Sequence, residues 1–186
     1  MANLCSFQMC VRGNCSNIEK FYDAMIQKGD IWMGRGAEAE IEFESEDRAF
    51  ITGWCKWSIQ SALINNAESM RANPDGWYFG DTKPSEFITL WEACEKWNLD
   101  MEVYSEEGGC CFQEHFVSIE GDVVCEECVE WSEYYLGDYE TKEEAEEELA
   151  TLPQLATEDM FITEHFFIET SIYGNAIIPI DEIIWI

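Results

Sequence analysis

Charge constrains this chain more tightly than any other feature, because of where it sits. The sequence carries 39 acidic and 10 basic residues, a formal net charge of −29. Residues 98–186 hold 24 of the acids and a single base, Lys142. A folded surface with that imbalance sets up a strong negative field, which repels nucleic acid and anionic membranes and attracts basic protein grooves. It also costs folding stability through self-repulsion. Against that cost, 47% of the residues are hydrophobic and 14% aromatic, enough for a core with several aromatic clusters. Acidity also aids solubility, but a net charge of about 2–8 suffices for a small domain.

At 186 residues the chain fits one large domain or two small ones. No apolar run approaches the roughly 18 residues of a helical membrane span. The opening Met1-Ala2-Asn3-Leu4-Cys5 lacks a basic region followed by an apolar stretch, so no signal peptide is read. Nine irregularly spaced cysteines, an odd number, then point to reduced thiols in the cytoplasm of a host cell.

The periodicity reads as β-α-β-β-(α)-α-β-β-β, followed by further helix and strand. Leu4–Val11 forms a first strand. Ser16, with Glu19 as its capping-box partner, starts a helix over about residues 17–28. Ile41 and Phe43 alternate with Glu40, Glu42 and Glu44, a strand with one face in solvent, and Ala49–Trp57 is a strand rich in apolar residues. A short helix over Ser58–Asn65 precedes a loop at 71–84. Ser85 then caps a helix reaching Trp97. Strands follow at Leu99–Tyr104, Cys111–Ile119 and Val123–Trp131, the last two separated by Glu120-Gly121-Asp122 and joined as a hairpin by a Gly121-Asp122 turn. Thr141, with Glu144 in the box position, caps an acidic helix to about Leu152, and Met160–Ile186 reads as two or three strands. The expected fold class is α+β, a largely antiparallel sheet with helices on one face. Residues 1–135 form its core and 136–186 an extension packed on the same domain.

Four segments occur in an order that resembles the YubB ferredoxin-like family of phages, plasmids and other mobile elements. They are the opening Met1–Cys5, Gly53-Trp54-Cys55-Lys56-Trp57-Ser58, the helix Phe87–Trp97, and Tyr104-Ser105-Glu106-Glu107-Gly108. The family typically opens on Asn-Trp-Cys and carries Trp-Gly-Thr-Lys-Trp-Asp. Here Leu4 replaces the first Trp; Lys56 and Trp57 match the second motif, whereas Gly53, Trp54, Cys55 and Ser58 depart from it. The resemblance covers about residues 1–135. It implies a ferredoxin-like core and a mobile-element origin, and no reaction.

Cys125-Glu126-Glu127-Cys128 is the sharpest chemical motif, since this spacing lets one turn present two thiolates to a tetrahedral metal. With Cys110 and Cys111 upstream, it makes a candidate structural zinc site, the one cofactor expected. Unligated thiols and a redox pair are the alternatives. Neighbouring carboxylates oppose thiolate formation, and adjacent cysteines on a strand point to opposite faces. The two histidines, His115 and His165, have no partner fixed by the sequence. No nucleophile elbow, Walker loop or His-Glu-x-x-His motif is present. Trp54, Trp57, Trp91 and Trp97 read as core residues rather than base-stacking platforms, because the field opposes nucleic acid.

These readings converge on a binding protein rather than an enzyme. The expected function is an acidic inhibitor that mimics nucleic acid and occupies the basic channel of a host defence nuclease, a CRISPR effector or restriction enzyme. This anti-CRISPR or antirestriction role assigns partner contacts to Glu102, Glu106, Glu107, Glu114, Glu120, Asp122, Glu126, Glu127, Glu130, Glu133, Glu143, Glu144 and Glu147. The alternatives are a zinc-stabilised interaction module without mimicry, and a hydrolase using two of the carboxylates.

Overall fold

The computed structural model of the chain describes residues 4–76, 83–107, 110, 112–135, 141, 144, 147, 160–162, 166–170 and 185–186; for 129–135, 160–162 and 166–170 it describes the backbone alone. The fold is α+β. Strand β1 (Leu4–Arg12) leads into helix α1 (Cys15–Met25), followed by β2 (Ile31–Met33), β3 (Ala37–Phe43) and β4 (Arg48–Lys56). A helical stretch then runs from a π-helical turn at Gln60–Asn65 into α2 (Asn66–Ala72). Next come β5 (Glu86–Ile88), α3 (Leu90–Trp97), β6 (Asp100–Glu107), β7 (Phe112–Ile119), β8 (Asp122–Tyr135), β9 (Met160–Ile162) and β10 (Phe166–Thr170). The main sheet has the order β3-β4-β1-β6-β7-β8-β10-β9, and each neighbouring pair is antiparallel. Strands β2 and β5 form a separate parallel pair.

One face of the sheet carries the helices. Cys5, Phe7, Met9 and Val11 of β1, Ala49, Ile51 and Cys55 of β4, and Met101 and Val103 of β6 point into a core completed by Ile18, Phe21, Met25, Ile59, Leu63, Leu90 and Cys94. Burying each large apolar side chain stabilises the fold by about 1.5–3 kcal/mol. The core therefore offsets the self-repulsion of an acidic surface. Burial pushes the Cys94 thiol up to about 12, so it acts as a small apolar filler.

Two helix starts differ from expectation. Asn14, not Ser16, caps α1: its side chain accepts from the Ser16 N–H at 3.0 Å. The helix expected from Ser85 begins only at Leu90. There Thr89 and Glu92 form a reciprocal capping box, the Thr89 N–H donating to Glu92 at 2.8 Å and the Glu92 N–H to Thr89 Oγ1 at 3.2 Å. Residues 86–88 pair instead with β2. The short helix expected over 58–65 continues through Ala72. Its π turn forms where the Arg35 N–H donates to Ala62 O at 3.0 Å, an outside donor claiming a helix carbonyl. Gly34, at φ +48°, makes that approach possible; a Cβ there would lie 1.9 Å from Ala62 O.

The expected β7–β8 hairpin forms, but it turns on Glu120 and Gly121, at φ 53° and 84°, one residue ahead of the expected Gly121-Asp122 turn. Positive φ at both central residues matches the right-handed twist of the flanking strands. Glu144 N–H donates to Thr141 Oγ1 at 3.1 Å, as the expected cap requires; the body of that helix and most of the strands expected after 160 fall outside the described residues. No helix among the described residues is long and apolar enough to cross a membrane.

Candidate functional site

The face of the sheet that bears no helix among the described residues, the helix-free face, carries the chemistry. Antiparallel pairing sets its residues in cross-strand rows. One row runs Glu42, Phe50, Cys10, Glu102, Val117, Cys125; the next runs Glu40, Thr52, Gln8, Tyr104, His115, Glu127; a third begins Glu38, Trp54, Ser6, Glu106, Gln113. Alternation decides which residue of each strand enters a row, and strand order decides which rows exist.

At the β6–β7–β8 side a polar chain assembles. Glu102 Oε1 lies 3.0 Å from His115 Nε2, and its Oε2 accepts the Ile186 N–H at 2.9 Å. The ring of Tyr104 stacks on that of His115, with centroids 4.0 Å apart and planes 10° apart. Trp185 packs edge-on against Tyr104 and Phe50. Burial, reinforced by Glu102, pushes the Tyr104 phenol up to about 12. On the other side of the imidazole, Cys125 Sγ is 3.4 Å and Glu127 Oε2 4.0 Å from Nδ1. His115, Cys125 and Glu127 thus form a group whose ligand atoms lie within 4.8 Å of one another, able to hold a metal ion. Burial first, and then Glu127, raise the Cys125 thiol above its ordinary value.

Cys125, His115 and Glu102 also stand in the order nucleophile, base, orienting carboxylate. The surroundings oppose that use. Glu127 disfavours a thiolate unless a cation lies between them, and neither the cleft of about 670 Å3 nor the one of about 510 Å3 among the described residues is lined by Cys125 or His115.

The cysteines grouped by the sequence are not brought together as a turn. Cys125 and Cys128 lie within β8, three residues apart, so they face opposite sides of the sheet: Cys125 shares a row with Val117, and Cys128 shares the helix-bearing side with Glu114. Cys110 and Cys128 are exposed, and Cys111 is outside the described residues.

Three acids expected to meet a partner are internal. Glu114 is 2% exposed and accepts the Ile59 N–H at 2.7 Å, the Gln60 N–H at 3.2 Å and Ser105 Oγ at 2.6 Å, anchoring the start of the π turn to β6 and β7. Glu102 orients His115 as described. Glu107 is buried, and its Oε2 has no hydrogen-bond partner among the described residues. Burial removes all three from a contact surface. The exposed members divide: Glu127 shares the helix-free face with half-buried Glu106, Glu126 lies on the opposite face beside Phe116, and Glu120 and Asp122 sit at the hairpin tip. Glu144 and Glu147 are exposed; the side chains of Glu130 and Glu133, and all of Glu143, are outside the described residues.

A more regular acidic row lies elsewhere. Glu38, Glu40 and Glu42 are exposed along β3, the edge of the sheet, spaced about 6.7 Å apart by the strand repeat. None of the three has an ion pair among the described residues. Directly opposite Glu38 stands Trp54, 56% exposed; Trp57 is 46% exposed, with the Arg35 guanidinium 4.6 Å above its ring. Both indoles were expected in the core, which holds Trp97 but not these two. Trp54, Glu38, Glu40, Ser6, Gln8 and Thr52 line the 510 Å3 groove. The alternation of Glu40 and Glu42 with Ile41 and Phe43 was legible as a solvent-facing strand, but its placement beside Trp54 needed the strand order.

No family model, no curated protein and no solved structure matches this chain.

Proposed function

We propose that this protein is an acidic inhibitor that presents its helix-free sheet face to a basic nucleic-acid-binding protein, mimicking a polynucleotide. Of basic partners, a host defence nuclease such as a CRISPR effector or restriction enzyme follows from the mobile-element origin that the YubB resemblance implies. The observation that carries the reading is the exposed row Glu38, Glu40, Glu42 beside Trp54. Evenly spaced carboxylates offer a partner's Arg and Lys side chains a phosphate-like ladder, and the Trp54 indole gives a guanidinium a face to stack on. The same charges guard the edge strand against strand addition. The order β3-β4-β1-β6, with α1 linking β1 to the parallel-running β3 and α3 leading into β6, supports a ferredoxin-like core. No catalytic step is assigned.

The test is capture from host lysate at low salt, followed by elution with duplex DNA. We expect DNA to release the captured protein and binding to weaken as salt rises. E38Q/E40Q/E42Q should weaken binding roughly tenfold, taking about 0.5 kcal/mol for each exposed pair. Capture indifferent to salt and DNA refutes mimicry.

A second reading, a zinc-stabilised interaction module, is favoured by the His115–Cys125–Glu127 group. Metal analysis of the purified protein and a melt with chelator test it.

A further inference from the structure

We infer that Zn2+ binds on the helix-free face through His115 Nδ1, Cys125 Sγ and a Glu127 carboxylate oxygen, with Glu102 as the positioning residue and water as fourth ligand. This rests on the zinc reading and assigns it a ligand set different from the four cysteines. Pairing in the β7–β8 hairpin places His115 directly opposite Glu127, and Cys125 two residues along on the same face. Zn–N of about 2.0 Å and Zn–S of about 2.3 Å at a tetrahedral angle put N and S about 3.5 Å apart. The two atoms are 3.4 Å apart. Glu127 Oε2, at 4.0 Å from Nδ1, closes the remaining distance with a small side-chain rotation, which its 44% exposure leaves open.

The imidazole is already set for this role. Glu102, 5% exposed and fixed by the Ile186 N–H, sits within hydrogen-bond reach of Nε2. When Nε2–H donates to that carboxylate, the Nδ1 lone pair faces Cys125 and Glu127. A carboxylate behind a metal-binding histidine is the arrangement that fixes its tautomer and raises its basicity. Tyr104, stacked on the ring, fixes its plane. The placement of Glu127 beside Cys125, adverse for a bare thiolate, becomes favourable once a divalent cation lies between them. One nitrogen, one sulfur and one oxygen ligand suit Zn2+ better than Ca2+ or Mg2+, which take oxygen.

Co2+ is the probe, added to the purified full-length chain after chelator treatment. We expect a thiolate-to-cobalt charge-transfer absorption that Zn2+ displaces. C125S should abolish the band, H115A should abolish tight binding, and E127Q should weaken it. C128S should leave it unchanged. E102Q should weaken affinity about 10–100-fold while keeping the band, since it acts only through His115. Circular dichroism identifies any variant that misfolds. A band that survives C125S but is lost in C128S overturns this ligand set while sparing the zinc reading. No band and no retained zinc in the parent protein overturn both.

Discussion

Replacing Glu114 with Ala tests whether this acid is a piece of internal architecture rather than a contact. The side chain is 2% exposed and accepts two backbone N–H groups at the start of the π turn, Ile59 at 2.7 Å and Gln60 at 3.2 Å, plus the Ser105 hydroxyl at 2.6 Å. The Ile59 amide and the Ser105 hydroxyl lose their acceptor at buried positions, the Gln60 amide at a part-buried one. A donor left buried without a partner costs about 1–3 kcal/mol, and a part-buried one less. With the cavity left by the deleted atoms, the expected destabilisation is about 3–5 kcal/mol. For a chain of this size that lowers Tm by roughly 6–20 °C. E114Q, which keeps one acceptor oxygen, should fall between. E126Q, at an exposed site, should stay within about 0.5 kcal/mol of the parent. Urea unfolding followed by circular dichroism measures all three. If E114A unfolds at the parent's midpoint yet weakens partner capture, the buried-anchor argument is wrong and Glu114 belongs to the contact surface.

Gly34→Ala should destabilise by about 2–4 kcal/mol, because a Cβ would strike Ala62 O and the backbone sits at positive φ; an unchanged thermal midpoint would contradict the close approach that forms the π turn. Glu92 gives a pH signature. Burial alone would raise its carboxyl, but hydrogen bonds and charge from Arg71 and Thr89 outweigh that and lower it overall. A lowered folded-state value means the unfolded chain takes up the proton first. The stabilisation is therefore full above the unfolded value of about 4.3 and lost as pH falls through the folded one. The stability gap between the parent and E92Q should shrink on acidification from pH 6 to 3 in urea melts, and a widening gap would reverse the assignment.

Hydrophobic periodicity was sufficient for β1, α1, β3, β4, β6, β7 and the hairpin, because each depends on residues a few positions apart. It failed where a distant partner decided the outcome. Residues 86–88 continue the helical spacing of Phe87, Leu90, Trp91 and Cys94, yet they pair with β2, and the Thr89–Glu92 box restarts the chain as α3. Asn14 captures α1 two residues ahead of Ser16. The Cys-x-x-Cys spacing suggested two ligands on a turn; inside a strand the same spacing separates them across the sheet.

The sequence by itself determined that the surface is anionic and that the core is aromatic and aliphatic, since charge and apolar content are sums over residues and need no partner. It also determined the alternation that turns Glu40 and Glu42 to solvent. Only tertiary structure decided which acids are available: Glu102 and Glu114 look like their neighbours in the chain but face groups 13 and 55 residues away, His115 and the Ile59 amide. Hydrogen-bond satisfaction in a buried site is a property of the assembled sheet, and so is the meeting of His115 with Cys125.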